Sequence, residues 1–170
     1  MKSSVSPDSP RQLRALAHPL RLRLIGELRV SGPLTVGRLA EALDQSPGNV
    51  SYHLGVLAST GFVVEVPELA TDARERWWRA EHDSTRIDRH NPATAGLRHE
   101  VIDVYAANLH RAIDAGDPAG ETSDIVVRLT DAQLAAAAAD LEEVLAKWAA
   151  VPAAEGARPA QLIIHAFRRP

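Results

Sequence analysis

Cysteine is absent from the sequence of 170 residues, and long apolar runs are absent as well. Without thiols the chain can form no disulfide bond, no thiolate metal site and no cysteine-based redox sensor. No apolar run approaches the ~18 residues that span a membrane, and the N-terminus has no apolar core of a secretion signal. These absences predict a cytoplasmic protein that does not enter a membrane.

The sequence also lacks the short motifs that mark common catalytic sites. It has no Gly-rich phosphate loop, no GxSxG elbow, no HExxH pair and no cysteine nucleophile. Single acids and histidines occur, but none has a spacing that assembles catalysis. We therefore expect neither enzymatic activity nor a cofactor.

Charge is nearly balanced, with a formal net charge of −3, so bulk charge does not draw the whole molecule to a polyanion. The two halves differ in sign. Residues 1–80 carry ten Lys/Arg against eight Asp/Glu, whereas residues 81–170 carry nine against fourteen. The small basic excess therefore lies in the N-terminal half, where the following motifs occur.

The segment from Ser46 to Gly61, SPGNVSYHLGVLASTG, has the pattern of a complete amphipathic helix. Ser46 can cap it, Pro47 suits the first helical position, and Gly61 can end it. Apolar residues at i, i+4 and i+7 form a stripe that must pack inward. The opposite face carries no formal charge and suits the base edges of a DNA major groove, although an ordinary surface helix would show the same pattern.

The preceding segment, Leu34 to Asp44, predicts a second short helix with Thr35 as its cap. Only Gln45 and Ser46 separate the two helices. Two short helices joined by so tight a turn form a helix-turn-helix, in which the second helix, over residues 46–60, reads the DNA.

Two β-rich runs follow, Phe62 to Val66 and Arg74 to Ala80, and they predict a hairpin over residues 62–80. The alternation of a strand sends Trp77 and Trp78 to opposite faces, so that one indole packs on the helices. The arginines near the hairpin tip can contact DNA phosphate or enter the minor groove. We interpret this hairpin as a wing.

Four segments, in this order and at these distances, resemble the ArsR-like (arsenic-repressor type) winged-helix transcription regulators. The resemblance covers about residues 11–80. It implies a winged helix-turn-helix fold and DNA binding, and Ser51 and Tyr52 align with base-contacting positions. Many such regulators sense thiophilic metals through a cysteine pair, which this chain lacks. The segments are LAHPLRLRLIGEL at 16–28, LTVGRLAEAL at 34–43, NVSYHLGVLASTGFV at 49–63 and RERWW at 74–78.

We accordingly predict a sequence-specific DNA-binding regulator, a homodimeric repressor that reads an inverted repeat of double-stranded DNA. The alternative is a winged helix that binds protein without specific DNA binding.

His53 lies nearer the buried edge of its helix than Tyr52 does. The candidate DNA-binding residues are Thr35, Gly48, Asn49, Ser51, Tyr52, His53, Arg74 and Arg76.

The winged helix-turn-helix domain is predicted to span residues 9–80. The segments on either side of it differ from it in composition. Residues 1–8 are polar and predict a disordered arm. Residues 81–90 predict a connector, and a long helix follows, so that 81–115 form a connector and dimerisation helix. Two apolar stripes on that helix predict burial between two copies of the chain. The stripes are Leu97, Val101 and Val104 beside Ile102, Tyr105, Leu109 and Ile113.

The same helix places His99, Asp103 and His110 on one side. Two histidines and a carboxylate can bind zinc or nickel, and some members of the resembled family sense metals with His/Asp pairs on such a helix. The spacing here differs from their paired pattern. We therefore favour solvated side chains and assign no metal site.

Residues 116–170 predict a small β-α-β C-terminal region, with strands at 124–129 and 160–167 around an alanine-rich helix. Thr130 and Gln133 form a capping box for that helix. The region either binds a small-molecule effector or takes part in dimerisation. The complete fold class is α+β, mainly α: a winged helix-turn-helix domain, a long dimerisation helix and the β-α-β region.

Overall fold

The computed structural model of the protein describes residues 4–72, 75–88, 91–116, 124–158 and 160–167. The chain divides into two compact units, Met1–Gly116 and Asp117–Pro170. The first unit is mainly helical with small sheets, which confirms the predicted α+β class. No helix in the described ranges is long and apolar enough to cross a membrane.

The first four α-helices of the first unit begin where the sequence supplies side-chain caps. The side chains of Ser9, Thr35 and Ser46 each accept a hydrogen bond from the backbone N–H three residues later, at 3.2, 3.3 and 3.3 Å. His18 caps the next helix through Nδ1, which accepts from the N–H of Leu20 at 3.2 Å. The helices are α1 Pro10–Leu16, α2 Pro19–Ser31, α3 Val36–Leu43, α4 Pro47–Ala58 and α5 Ala95–Asp114.

A three-stranded antiparallel sheet forms the wing and ties it to the helix-turn-helix. Its strands are β2 Leu34–Thr35, β3 Val63–Glu65 and β4 Trp77–Ala80, in the order β2-β4-β3. The predicted hairpin is confirmed, with Val63 opposite Ala80. The third strand, β2, is an addition, since two residues are too few to show alternation in a sequence.

One apolar core holds α1 to α4, the wing and the start of α5 together. Trp78 is only 4% exposed and belongs to this core, whereas Trp77 on the opposite face is half-buried, as strand alternation predicts. The largest fully buried side chains come from every part of the domain, and burial of each contributes about 1.5 to 3 kcal/mol. They include Leu16, Leu24, Leu39, Leu54, Leu57 and Phe62.

The N-terminal arm and the connector are more ordered than the sequence predicts. Strand β1, Ser4–Val5, pairs in parallel with β5, Ser84–Thr85, so the described part of residues 1–8 is not a disordered arm. Arg29 secures the connector, donating to the carbonyl of His82 at 2.8 Å and to the hydroxyl of Thr85 at 2.8 Å. These contacts join segments distant in sequence, which a local pattern cannot reveal.

The two predicted apolar stripes of helix α5 differ in burial. Leu97 is buried in the core and Val104 is buried as well, with Val101 packed against the core between them. The second stripe remains exposed, with 45% exposure for Ile102 and 61% for Ile113. The first unit therefore covers only one of the two stripes.

The second unit contains the predicted helix, α6 Asp131–Ala149, and its capping box is present. Thr130 Oγ1 accepts from the N–H of Gln133 at 3.2 Å, and Gln133 Oε1 accepts from the N–H of Thr130 at 2.9 Å. The β-α-β prediction is otherwise corrected, because no strand forms in 124–129 or 160–167. A strand is stable only when it is hydrogen-bonded to neighbours, and two strands with one helix are too few to provide them.

Candidate DNA-binding interface

Helix α4 presents one face to the core and the other to solvent. Its buried side chains are Val50, His53, Leu54 and Leu57, at positions i, i+3, i+4 and i+7. The exposed face carries no formal charge, so nothing on it repels phosphate. It consists of Gly48, Asn49, Ser51, Tyr52, Gly55 and Ser59.

Tyr52 is the most prominent side chain on this face, with 66% exposure. Its ring and the ring of His53 form a T-shaped pair, with the centroids 5.1 Å apart. This contact orients the phenol without burying it. Tyr52 can therefore meet a partner at little cost to the fold.

His53, one of the candidate DNA-binding residues, does not lie on the exposed face of α4, so its side chain is not available to a partner there. It is only 6% exposed, because it follows Val50 by three residues and so joins the buried stripe. Its ring lies 4.4 Å from the ring of His18, and its Nδ1 lies 3.3 Å from Arg21 Nη1. His53 thus anchors α4 to the junction of α1 and α2.

Arginines of α2 supply structural contacts that the sequence did not indicate. Arg21 donates to the carbonyls of Arg14, at 2.8 Å, and of Ala15, and so satisfies the C-terminal end of α1. Arg23 donates to the carbonyl of Leu43 at 3.2 Å and does the same for α3. Both guanidinium groups therefore hold the helix-turn-helix together.

Side chains from α3, α4 and the wing line a shallow cleft of about 470 Å³. Thr35 lies at the start of α3, Ser51 on the exposed face of α4, and Arg76 just before β4. Three of the predicted DNA-binding residues are therefore brought together from segments separated in sequence. The complete lining is Thr35, Val36, Gly37, Pro47, Ser51, Glu75 and Arg76.

The remaining candidates lie beside the cleft or outside the described residues. Gly48 and Asn49 are exposed in the first turn of α4. The Asn49 side-chain amide donates to Gln45 Oε1 at 2.9 Å, which fixes its orientation. Arg74 lies outside the described residues. An additional cation not anticipated from the sequence, Arg38, lies 5.7 Å from the centroid of the Trp77 ring.

Arg76 is exposed but already paired. Its Nε and Nη2 donate to the two carboxylate oxygens of Glu65, at 2.9 and 2.7 Å, and its guanidinium lies 5.0 Å from the Trp78 ring centroid. The hydrogen bond from Arg76 lowers the pKa of Glu65, so this carboxylate stays charged. A DNA phosphate near the wing would therefore compete with Glu65 for Arg76.

No metal centre is evident in the part of the chain that the structure describes. No group of three or more His, Cys, Asp or Glu side chains there could hold a metal ion. His99, Asp103 and His110 are all exposed on α5.

Residues 16–66 match a family model described as a helix-turn-helix domain. Together with the hairpin, this match defines the first unit as a winged helix-turn-helix domain. No protein of curated function matches the chain at a significant level.

Several solved structures are similar to this chain. A possible transcriptional regulator for arsenical resistance is 30% identical, covering 64% of this chain and 96% of that one, with a TM-score of 0.35. A homodimeric winged helix-turn-helix domain of a possible ArsR-family regulator from Mycobacterium bovis is 20% identical, covering 59% and 78%, with a TM-score of 0.36. A MarR mutant from E. coli, complexed with operator DNA, is 18% identical, covering 78% and 84%, with a TM-score of 0.35.

Because all three TM-scores are low, the structural superpositions do not by themselves establish the family. The identity of 30% over nearly the whole of the arsenical-resistance regulator does decide the family. The chain belongs to the ArsR-like winged helix-turn-helix transcription regulators, as the sequence resemblance predicts.

The imidazoles of His18 and His53 should make stability depend on pH. Burial, then His18 and Arg21, lower the pKa of His53, while burial and then Arg21 lower the pKa of His18 against the opposing effect of Glu100. As the pH falls below about 6.5, the unfolded chain takes up protons before the folded one does. We therefore expect the melting temperature to fall between about pH 7.5 and pH 5.5.

A variant can assign this pH dependence to the histidine pair. His53→Gln keeps an acceptor for Arg21 but removes the titrating ring, so its melting temperature should vary less with pH across the same range. The measurement is thermal unfolding of both proteins in matched buffers. Equal pH dependence in the two proteins would contradict the assignment.

Proposed function

We propose that the protein is a homodimeric repressor that binds an inverted repeat with α4 in the major groove and the wing along the backbone. The observation that carries this proposal is the exposed, uncharged face of α4 beside a cleft that also contains Arg76. Small and hydrogen-bonding side chains on such a face can approach base edges closely. Tyr52 and Ser51 are the proposed base contacts, with Gly48 and Asn49 at the entry of the helix into the groove.

The proposed phosphate contacts surround that face. The hydroxyl of Thr35 lies at the start of α3, where free backbone N–H groups favour an anion. Arg76 can supply one guanidinium from the wing, and we retain Arg74 as a second candidate. Phosphate contacts of this kind fix the position of the protein on DNA without reading sequence.

The exposed stripe of α5 supports the dimer. Its apolar side chains include Leu109 at 41% and Ile113 at 61% exposure, next to the half-buried Tyr105. A second copy that presents the same stripe would cover it by two-fold symmetry. Such a dimer would set two α4 helices about 34 Å apart, one turn of DNA, which is the spacing of an inverted repeat.

Purified protein should first be used to capture genomic fragments, and sequencing of these fragments should identify the operator. Binding should then weaken steeply with salt, because each neutralised phosphate adds about −0.9 to the slope of log K against log salt. Absence of salt-dependent binding to any fragment would favour the alternative, a winged helix that binds protein.

Arg76 and its partner Glu65 provide a matched pair of variants for this titration. Arg76→Ala should reduce the magnitude of the salt slope by about one unit and leave sequence preference nearly intact. Glu65→Gln should raise affinity for all DNA, because Arg76 is then released from its ion pair. If Arg76→Ala leaves the slope unchanged, the wing does not contact phosphate through this residue.

A further inference from the structure

The second unit exposes a short apolar segment immediately before α6. Residues 124–129 read DIVVRL, and the exposed fractions of Ile125, Val126 and Val127 are 81%, 66% and 54%. Three consecutive β-branched residues favour a strand, yet no strand forms here within the described residues. Exposed contiguous apolar side chains of this kind mark an interaction surface.

The rest of the unit does not provide enough cover for this segment. Helix α6 leaves Val144 at 47% and Trp148 at 56% exposure, and Leu162 and Phe167 near the C-terminal end are 57% and 72% exposed. One helix and two short apolar segments are too few to complete a core. The unit therefore needs a partner surface of apolar and strand-forming character.

The charges that flank the segment identify that partner. In an antiparallel pair of two identical segments centred on Val126, each Asp124 lies opposite Arg128 of the partner subunit. Two opposite-charge pairs then flank a centre in which Ile125 faces Val127 of the partner subunit on one side of the ribbon. A parallel, in-register pair would instead place Asp124 against Asp124 and Arg128 against Arg128, which is unfavourable.

From this self-complementarity we infer that residues 124–128 of two copies of the chain pair as antiparallel strands about a two-fold axis at Val126. A shift by one or two residues in either direction separates the charges from their partners, so the pattern also fixes the register. The contact lies outside the proposed α5 interface and does not require DNA binding. It gives the second unit a role in dimerisation and explains why its strand does not form in one chain alone.

The absence of cysteine allows a clean cross-linking test in the full-length protein. Residues opposite each other in an antiparallel pair have Cα atoms about 4.5 to 5.5 Å apart, which is within reach of a disulfide. Under mild oxidation, Val126→Cys should form covalent dimers at least roughly tenfold faster than Val151→Cys, a control at another exposed valine. Equal rates in the two variants would overturn the inference.

Charge reversal in the Val126→Cys protein tests the register. Arg128→Asp places two acidic side chains opposite each other at both ends of the pair, and cross-linking should slow by roughly tenfold. Adding Asp124→Arg reverses both charges and should restore the original rate. The inference fails if Arg128→Asp has no effect, or if the double reversal remains as slow as the single one.

Discussion

Tyr52→Ala is expected to lower affinity for the operator by roughly tenfold or more while the melting temperature and the dimer mass stay unchanged. The ring is 66% exposed and contacts the ring of His53 in a T-shaped pair, so its removal leaves no cavity in the core. A lost base contact costs about 1 to 3 kcal/mol and relaxes preference at one operator position. Competition titrations with operator and random DNA, together with thermal unfolding, measure both effects.

Two variants separate a base contact from a packing defect. Tyr52→Phe keeps the ring and removes only the hydroxyl, so it reports whether the contact is a hydrogen bond. His53→Ala removes a buried ring that packs against the ring of His18, and it should lower the melting temperature and weaken binding to all DNA alike. If Tyr52→Ala melts early or keeps full operator discrimination, α4 does not read DNA in the proposed orientation.

Introducing charge into the exposed stripe of α5 should have the second large effect. Leu109→Glu combined with Ile113→Glu places carboxylates where the proposed dimer would bury apolar side chains, and burial of unpaired charges is strongly unfavourable. We expect a monomer in sedimentation at micromolar concentration. Operator affinity should fall by about 10² to 10⁴, because two half-sites are then no longer bound together.

Ala107→Glu is the matched control for this experiment. Ala107 is also exposed on α5, but it lies roughly 160° around the helix axis from Leu109, away from the apolar stripe. This variant adds the same type of charge and should remain a dimer with full operator affinity. A dimeric mass for the double variant would place the interface elsewhere.

Local signals in the sequence were sufficient for most helix boundaries. Thr35, Ser46 and Thr130 were recognisable as caps from the sequence, because a cap acts on an N–H only two or three residues away. The tight turn between α3 and α4 was equally evident. The two stripes of α5 followed from helical periodicity alone.

The candidate DNA-binding site was harder to predict from the sequence, because its contacts join distant segments. The bond between Arg76 and Glu65 spans the hairpin, and the proximity of His53 and Arg21 links two helices. No local pattern distinguishes a buried histidine from an exposed one at the edge of an apolar stripe. The sequence put His53 only nearer the buried edge than Tyr52; the structure buries its ring, whereas Tyr52, one residue earlier, lies outward as predicted.

The sequence by itself determined the helices, the hairpin and the family, since each depends on short-range spacing that the chain carries in any conformation. Tertiary structure alone decided which polar groups remain available to a partner. Packing buried His53, used Arg21 and Arg23 to satisfy helix ends, and paired Arg76 with a carboxylate. The physical reason is that burial and charge pairing depend on which distant segments meet, and only the folded chain brings them together.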